Sequence, residues 1–130
     1  MTAGLFDKEY YATLNASQIV VDDNVKRSDD YPGGSVRIEE TYTSGYQVKG
    51  DAGLDFVILE AAIGVTLNNL TTHVWEYRSP EYDGPFRIDV YVKRQIVFYS
   101  IYEDDVLFDD FIGWVFLEKE IGYTVVVTEL

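Results

Sequence analysis

The sequence predicts an all-β protein, a single antiparallel β-sandwich of about seven or eight strands. Three observations predict it. The chain holds 11 Tyr and 7 Phe among its 130 residues and is rich in Val and Ile, the side chains that suit a pleated, half-buried surface. Apolar and polar residues alternate with period two over short segments. Turn residues separate those segments at intervals typical of sandwiches, with a small closed barrel as the alternative.

Residues 1–34 are the least regular. Residues 8–15 suit a short helix or an extended arm, and residues 18–21 suit a strand. Asp29-Asp30-Tyr31-Pro32-Gly33-Gly34 closes this part with strong turn chemistry. The expected division is therefore an N-terminal arm or first strand over 1–34 and the sandwich over 35–130. In 35–46, Val36, Ile38, Glu40 and Tyr42 share one face, with Arg37, Glu39, Thr41 and Thr43 on the other. Residues 49–53 form a turn. Residues 54–62, Leu-Asp-Phe-Val-Ile-Leu-Glu-Ala-Ala, are apolar enough for a central strand, and helix competes because Leu, Glu and Ala favour it. After an Asn68-Asn69 turn, strands are expected over 71–77, 86–92, 96–102, 111–117 and 123–128. Lys93-Arg94 is read as a tight connection, and Gly122 as the opening of the last strand.

The length corresponds to one domain, and a hydrophobic fraction of 47% argues for a folded core. No apolar run approaches the 18 or so residues of a membrane-spanning helix. The start, Met-Thr-Ala-Gly-Leu-Phe-Asp-Lys-Glu, shows no signal-peptide pattern, so a cytoplasmic or peripheral membrane location is expected. Without Cys there are no disulfides and no thiolate chemistry. One histidine, His73, leaves no multi-histidine metal site and only a single base for a Ser-His-Asp arrangement. A formal net charge of −13 opposes nucleic-acid binding, which needs clustered Lys and Arg. It suits solubility, a basic partner or multivalent cations that neutralise part of the charge. Acidic pairs of the kind that cleave glycosidic bonds are numerous, but nothing singles out one pair, so no enzyme is expected.

The segment that demands a function is 103–113. Five of the eight residues 103–110 are acidic, against 23 in the whole chain. They flank an apolar tip, Val106-Leu107-Phe108, between two strand-like runs. Carboxylate oxygens are what a hard cation such as calcium takes. Three apolar residues at a loop tip either touch something outside the protein or fold back on neighbours such as Tyr102 or Trp114.

Three stretches carry a resemblance to the C2 domain, the calcium-dependent lipid-binding β-sandwich, over about residues 35–128. Asp51-Ala-Gly-Leu-Asp55-Phe-Val-Ile-Leu is similar to the family's first calcium loop. Val74-Trp75-Glu76, followed by Phe86-Arg-Ile-Asp-Val90, resembles its Val-Trp-Asn-Glu segment and the Phe-x-Phe after it. Glu103-x-Asp105, Asp109 and the Phe111-Ile112-Gly113 exit resemble its third calcium loop. The chain departs from the pattern in having Glu103 where Asp is usual, in lacking the Pro-Tyr after Asp55, and in spacing Asp51 and Asp55 one residue further apart.

The resemblance implies a C2-like topology, calcium ligands Asp51, Asp55, Glu103, Asp105 and Asp109, and membrane or partner contact through Val106, Leu107 and Phe108. The function expected is non-enzymatic binding, calcium-dependent, to a phospholipid membrane surface or a protein. The alternative is a calcium-independent acidic domain that binds a basic protein.

Overall fold

The computed structural model describes residues 9–50, 53 and 55–130. In chain order the elements are β1 (Glu9–Val21), β2 (Arg27–Tyr31), β3 (Arg37–Ser44), β4 (Gln47–Gly50), α1 (Phe56–Ile63), β5 (Thr71–Arg78), β6 (Phe86–Asp104) and β7 (Asp110–Glu129). The protein is all-β, with seven strands among the described residues, as the alternation implied. One sheet has the order β1-β6-β7-β4, with β2 also paired to β6; β3 and β5 form a second, two-stranded sheet. The pairs β2–β6, β3–β5 and β4–β7 are antiparallel. The contacts divide into two compact units, and β1, β6 and β7 contribute residues to both.

One unit comprises the chain up to Gln18, Gly45–Asn69 and Ile96–Lys119. Its core is Leu59 and Leu67 with Val97 and Ile101 of β6 and Val115 and Leu117 of β7. Leu59 is the buried residue of α1. This helix stands where a central strand was the first expectation. Local chemistry explains the outcome: the Asp55 side chain caps the helix by accepting from the Ile58 N–H, and Gly64, at φ 81°, ends it in the left-handed conformation. Between those signals Leu, Glu and Ala are good helix formers. Glu60 then fixes the exit, its Oε1 accepting from the Leu67 N–H at 3.0 Å.

The other unit comprises Ile19–Ser44, Leu70–Gln95 and Glu120–Leu130. Here the β3–β5 sheet packs on β6 and β7 as a two-layered sandwich, around Ile38, Phe86, Ile88, Val90 and Tyr123. Phe86, Ile88 and Val90 are buried with strict period two, as a strand with one face on a core requires. Arg37 of β3 reaches Glu76 of β5 at 2.8 Å. The Tyr123 hydroxyl donates to the Thr41 carbonyl at 2.6 Å, and its ring meets Trp75 edge-on at 5.3 Å.

Two expected breaks are continuous strand. The 93–94 turn does not form: β6 runs through it for 19 residues. A two-residue hairpin needs positive φ at its centre, hence Asn, Asp or Gly, and Lys93-Arg94 supplies neither. Arg94 instead bonds Asp22 and Glu120. Likewise β7 runs for 20 residues through Gly122. That glycine has φ 132°, which only a residue without a Cβ adopts readily, and a Cβ there would lie 3.6 Å from the Trp75 ring.

Candidate functional site

The loop 105–109 joins β6 to β7, and its carboxylates shape it from within. Asp105 Oδ1 accepts from the Val106 N–H at 2.6 Å. Asp109 Oδ1 accepts from the Asp105 N–H at 3.4 Å, and its Oδ2 accepts from the Tyr11 hydroxyl at 2.7 Å. The hydrogen bond from Tyr11 holds Asp109 below the usual carboxylate range. The same bond, with the negative charge around it, pushes the Tyr11 phenol up to about 12. Asp104 hydrogen-bonds Asp109 and is raised by that contact and by the negative charges of Asp109, Glu9 and Asp105. Asp104 therefore takes a proton more readily than Asp109 as pH falls.

Pinned in this way, the loop projects its apolar tip outward. Val106 is 96% exposed, Leu107 82% and Phe108 78%. The tip does not fold back on Tyr102 or Trp114.

Behind the tip lies a second apolar surface. Val97, Ile101, Val115 and Leu117 point into the core, so strand alternation turns Phe98 and Tyr102 of β6, and Trp114 and Phe116 of β7, to the opposite face of the sheet. Phe98 and Phe116 stack at 4.5 Å. Tyr11 stacks on Tyr102 at 5.2 Å, Phe111 meets Tyr102 edge-on at 5.7 Å and Trp114 at 6.3 Å. Trp114 is 55% exposed, and Phe111 and Phe116 are exposed too. A tryptophan within a strand is most simply read from the sequence as a core or near-core residue, and the exposure of Trp114 corrects that.

The expected calcium ligands fare unequally. Asp51 lies outside the described residues. Asp55 caps α1. Glu103 is the next-to-last residue of β6. Asp105 and Asp109 are brought together, but through backbone hydrogen bonds of their own loop. Among the described residues no three His, Cys, Asp or Glu side chains are grouped so as to hold a metal ion. Two features escaped sequence reasoning. The Tyr11–Asp109 bond joins residues 98 apart in sequence. The aromatic face did leave a signal: Trp114 and Phe116 occupy alternate positions of β7 where a solvent-facing strand is usually polar.

No protein-family model matches the sequence, and no curated protein matches it. One solved structure is similar, a Bacteroides vulgatus protein described as a candidate pore-forming toxin. Its sequence is 14% identical and its TM-score is 0.45; the match covers 92% of this chain and 55% of that one. This chain thus spans about half the length of that protein. At this level the likeness assigns neither family nor activity.

Among the described residues, no helix is long and apolar enough to cross a membrane.

Proposed function

We propose that this chain is a non-enzymatic binding module that docks on a lipid surface through Val106, Leu107 and Phe108. The observation that carries the reading is the outward projection of three consecutive apolar side chains from a loop held by its own carboxylates. Fully burying such a side chain contributes roughly 1.5–3 kcal/mol each, and shallow insertion less. The exposed Trp114 and the rings of Tyr102 and Tyr11 extend the apolar surface with side chains that are apolar in body and polar at one end. Such side chains favour the headgroup level of a bilayer. The carboxylates beside the tip and a net charge of −13 oppose anionic lipid, so a zwitterionic surface is the expected target.

Calcium is not required by this reading, because Asp55, Asp105 and Asp109 already have hydrogen-bonding work within the protein. It enters as an arm of the test. A second reading, a calcium-independent domain that binds a basic protein, is favoured by the net charge alone.

The test is flotation with phosphatidylcholine vesicles, in EDTA and with added calcium or magnesium, for the wild type and for Leu107→Ser/Phe108→Ser. Both positions are exposed, so the variant should fold. The wild type is expected to float in EDTA, with partitioning reduced roughly tenfold or more in the variant. Flotation with calcium alone would restore the calcium-dependent form of the function. No flotation under any condition, or equal flotation of the variant, would overturn the lipid reading and turn the search to a basic protein.

A further inference from the structure

At the base of the tip, aromatic rings and carboxylates meet. Tyr11 stacks on Tyr102 at 5.2 Å, Tyr102 meets Phe111 edge-on at 5.7 Å, and Phe111 meets Trp114 at 6.3 Å. The four rings therefore form one connected surface, on which Phe111 and Trp114 are each more than half exposed. Negative charge borders it. Asp109 accepts from the Tyr11 hydroxyl at 2.7 Å. Asp104 stands two residues after Tyr102 in β6, hence on the same side of that strand, and Asp110 directly precedes Phe111. From Gln95 to Glu118 the chain has no Lys, Arg or His.

These neighbours select the charge of a ligand. The face of an aromatic ring attracts a cation, and a carboxylate attracts the same cation over a longer range. Both repel an anion. Ring surface also asks for a cation with an apolar exterior. A quaternary ammonium meets that demand: its methyl groups pack on rings, and it has no N–H to leave without a partner. A primary ammonium is compact and strongly hydrated, so it loses more on leaving water for a surface made mainly of rings.

Depth selects where that cation comes from. Tyr102 lies four residues before Val106, and Phe111 three residues after Phe108, at most about 10–13 Å along extended chain. The headgroup layer on each side of a bilayer is about 5–8 Å thick. With the tip at the hydrocarbon boundary, Tyr102 and Phe111 reach the outer part of that layer. There a phosphatidylcholine places its ammonium, with the phosphate nearer the glycerol. Trp114 is further up β7, but its ring lies against that of Phe111.

We infer that Tyr102, Phe111 and Trp114 receive the quaternary ammonium of a phosphatidylcholine headgroup while Val106, Leu107 and Phe108 enter the bilayer. The inference rests on the lipid reading and narrows it, from zwitterionic lipid in general to choline lipid.

The experiment compares partitioning into vesicles of phosphatidylcholine and of phosphatidyl-N-methylethanolamine, in EDTA. The second lipid is also zwitterionic but lacks the quaternary nitrogen. The wild type should prefer phosphatidylcholine by roughly five- to tenfold. In Phe111→Leu/Trp114→Leu the apolar character stays and the rings go. The preference should vanish, with binding to the N-methylethanolamine lipid unchanged. Trp114→Tyr, which keeps a ring, should retain the preference, so a merely structural effect of the double variant is distinguishable. Equal binding of the wild type to both lipids, or a preference that survives the leucine substitutions, would overturn the inference and leave the lipid reading standing. No binding to either vesicle would remove both. A shift of the Trp114 indole signal on adding soluble phosphocholine, in a protein that binds neither vesicle, would place the choline chemistry off the membrane and overturn the source inferred here.

Discussion

Single side chains decide the geometry of the loop. Asp109 accepts from both Tyr11 and the Asp105 backbone, so one carboxylate ties β1 to the hairpin and shapes the turn that presents Val106–Phe108. Elsewhere Glu76 receives Arg37 at 2.8 Å and also pairs with Arg78. The hydrogen bonds from these two guanidinium groups lower it from its usual 4.5 to about 2. A carboxyl lowered by folding adds stability that is whole above its unfolded value and fades as pH falls through the folded one. Wild-type protein should therefore lose melting temperature between pH 4.5 and about 2 more steeply than Glu76→Gln. The difference should be small, since exposed ion pairs contribute little. Thermal melts at stepped pH would check it, and parallel curves would sink it.

At the scale of elements, α1 is the clearest case of local chemistry overruling composition. The segment is apolar enough for a strand, but Asp55 and Gly64 supply a start and a stop signal, and a helix long enough to bring Leu59 over β6 and β7 results. Leu59 is fully buried, so Leu59→Ala should cost about 2–5 kcal/mol, the range for large-to-small substitutions in a core. Urea unfolding would show it as a lower midpoint at unchanged slope. A loss under about 1 kcal/mol would mean that α1 is not packed as described. In the hairpin the alternation of β6 and β7 was legible from the sequence, but the continuity of each strand was not. Lys93-Arg94 resembles a turn only because two polar residues stand between apolar runs. Arg94 instead finds acidic partners on other segments, and no local pattern encodes those.

Over the whole molecule the excess of carboxylates governs behaviour in solution. Self-repulsion at a net charge of −13 destabilises the folded state, and salt shortens the reach of each charge from about 30 Å at 0.01 M to about 8 Å at 0.15 M. The melting temperature is expected to rise by roughly a few degrees over that range. Sodium, magnesium and calcium should act alike at matched ionic strength. Scanning calorimetry in the three salts would test this, and an additional rise specific to calcium would return attention to Asp51, Asp55, Glu103, Asp105 and Asp109 as ligands.

The sequence by itself determined the all-β class, the acidic loop and the apolar tip, because strand period, turn chemistry and charge clustering are written within a few residues of one another. Tertiary structure decided the rest. The acidic residues of the loop turn to Tyr11 and to their own backbone. The rings of Phe98, Tyr102, Trp114 and Phe116 form one outward aromatic face, and β1, which carries no charge after Glu9, stands at the end of its sheet's strand order. Each of these depends on which strand lies beside which. That neighbourhood follows from the burial of Leu59, Ile101 and Val115 together, residues far apart along the chain, and not from the pattern of any one segment.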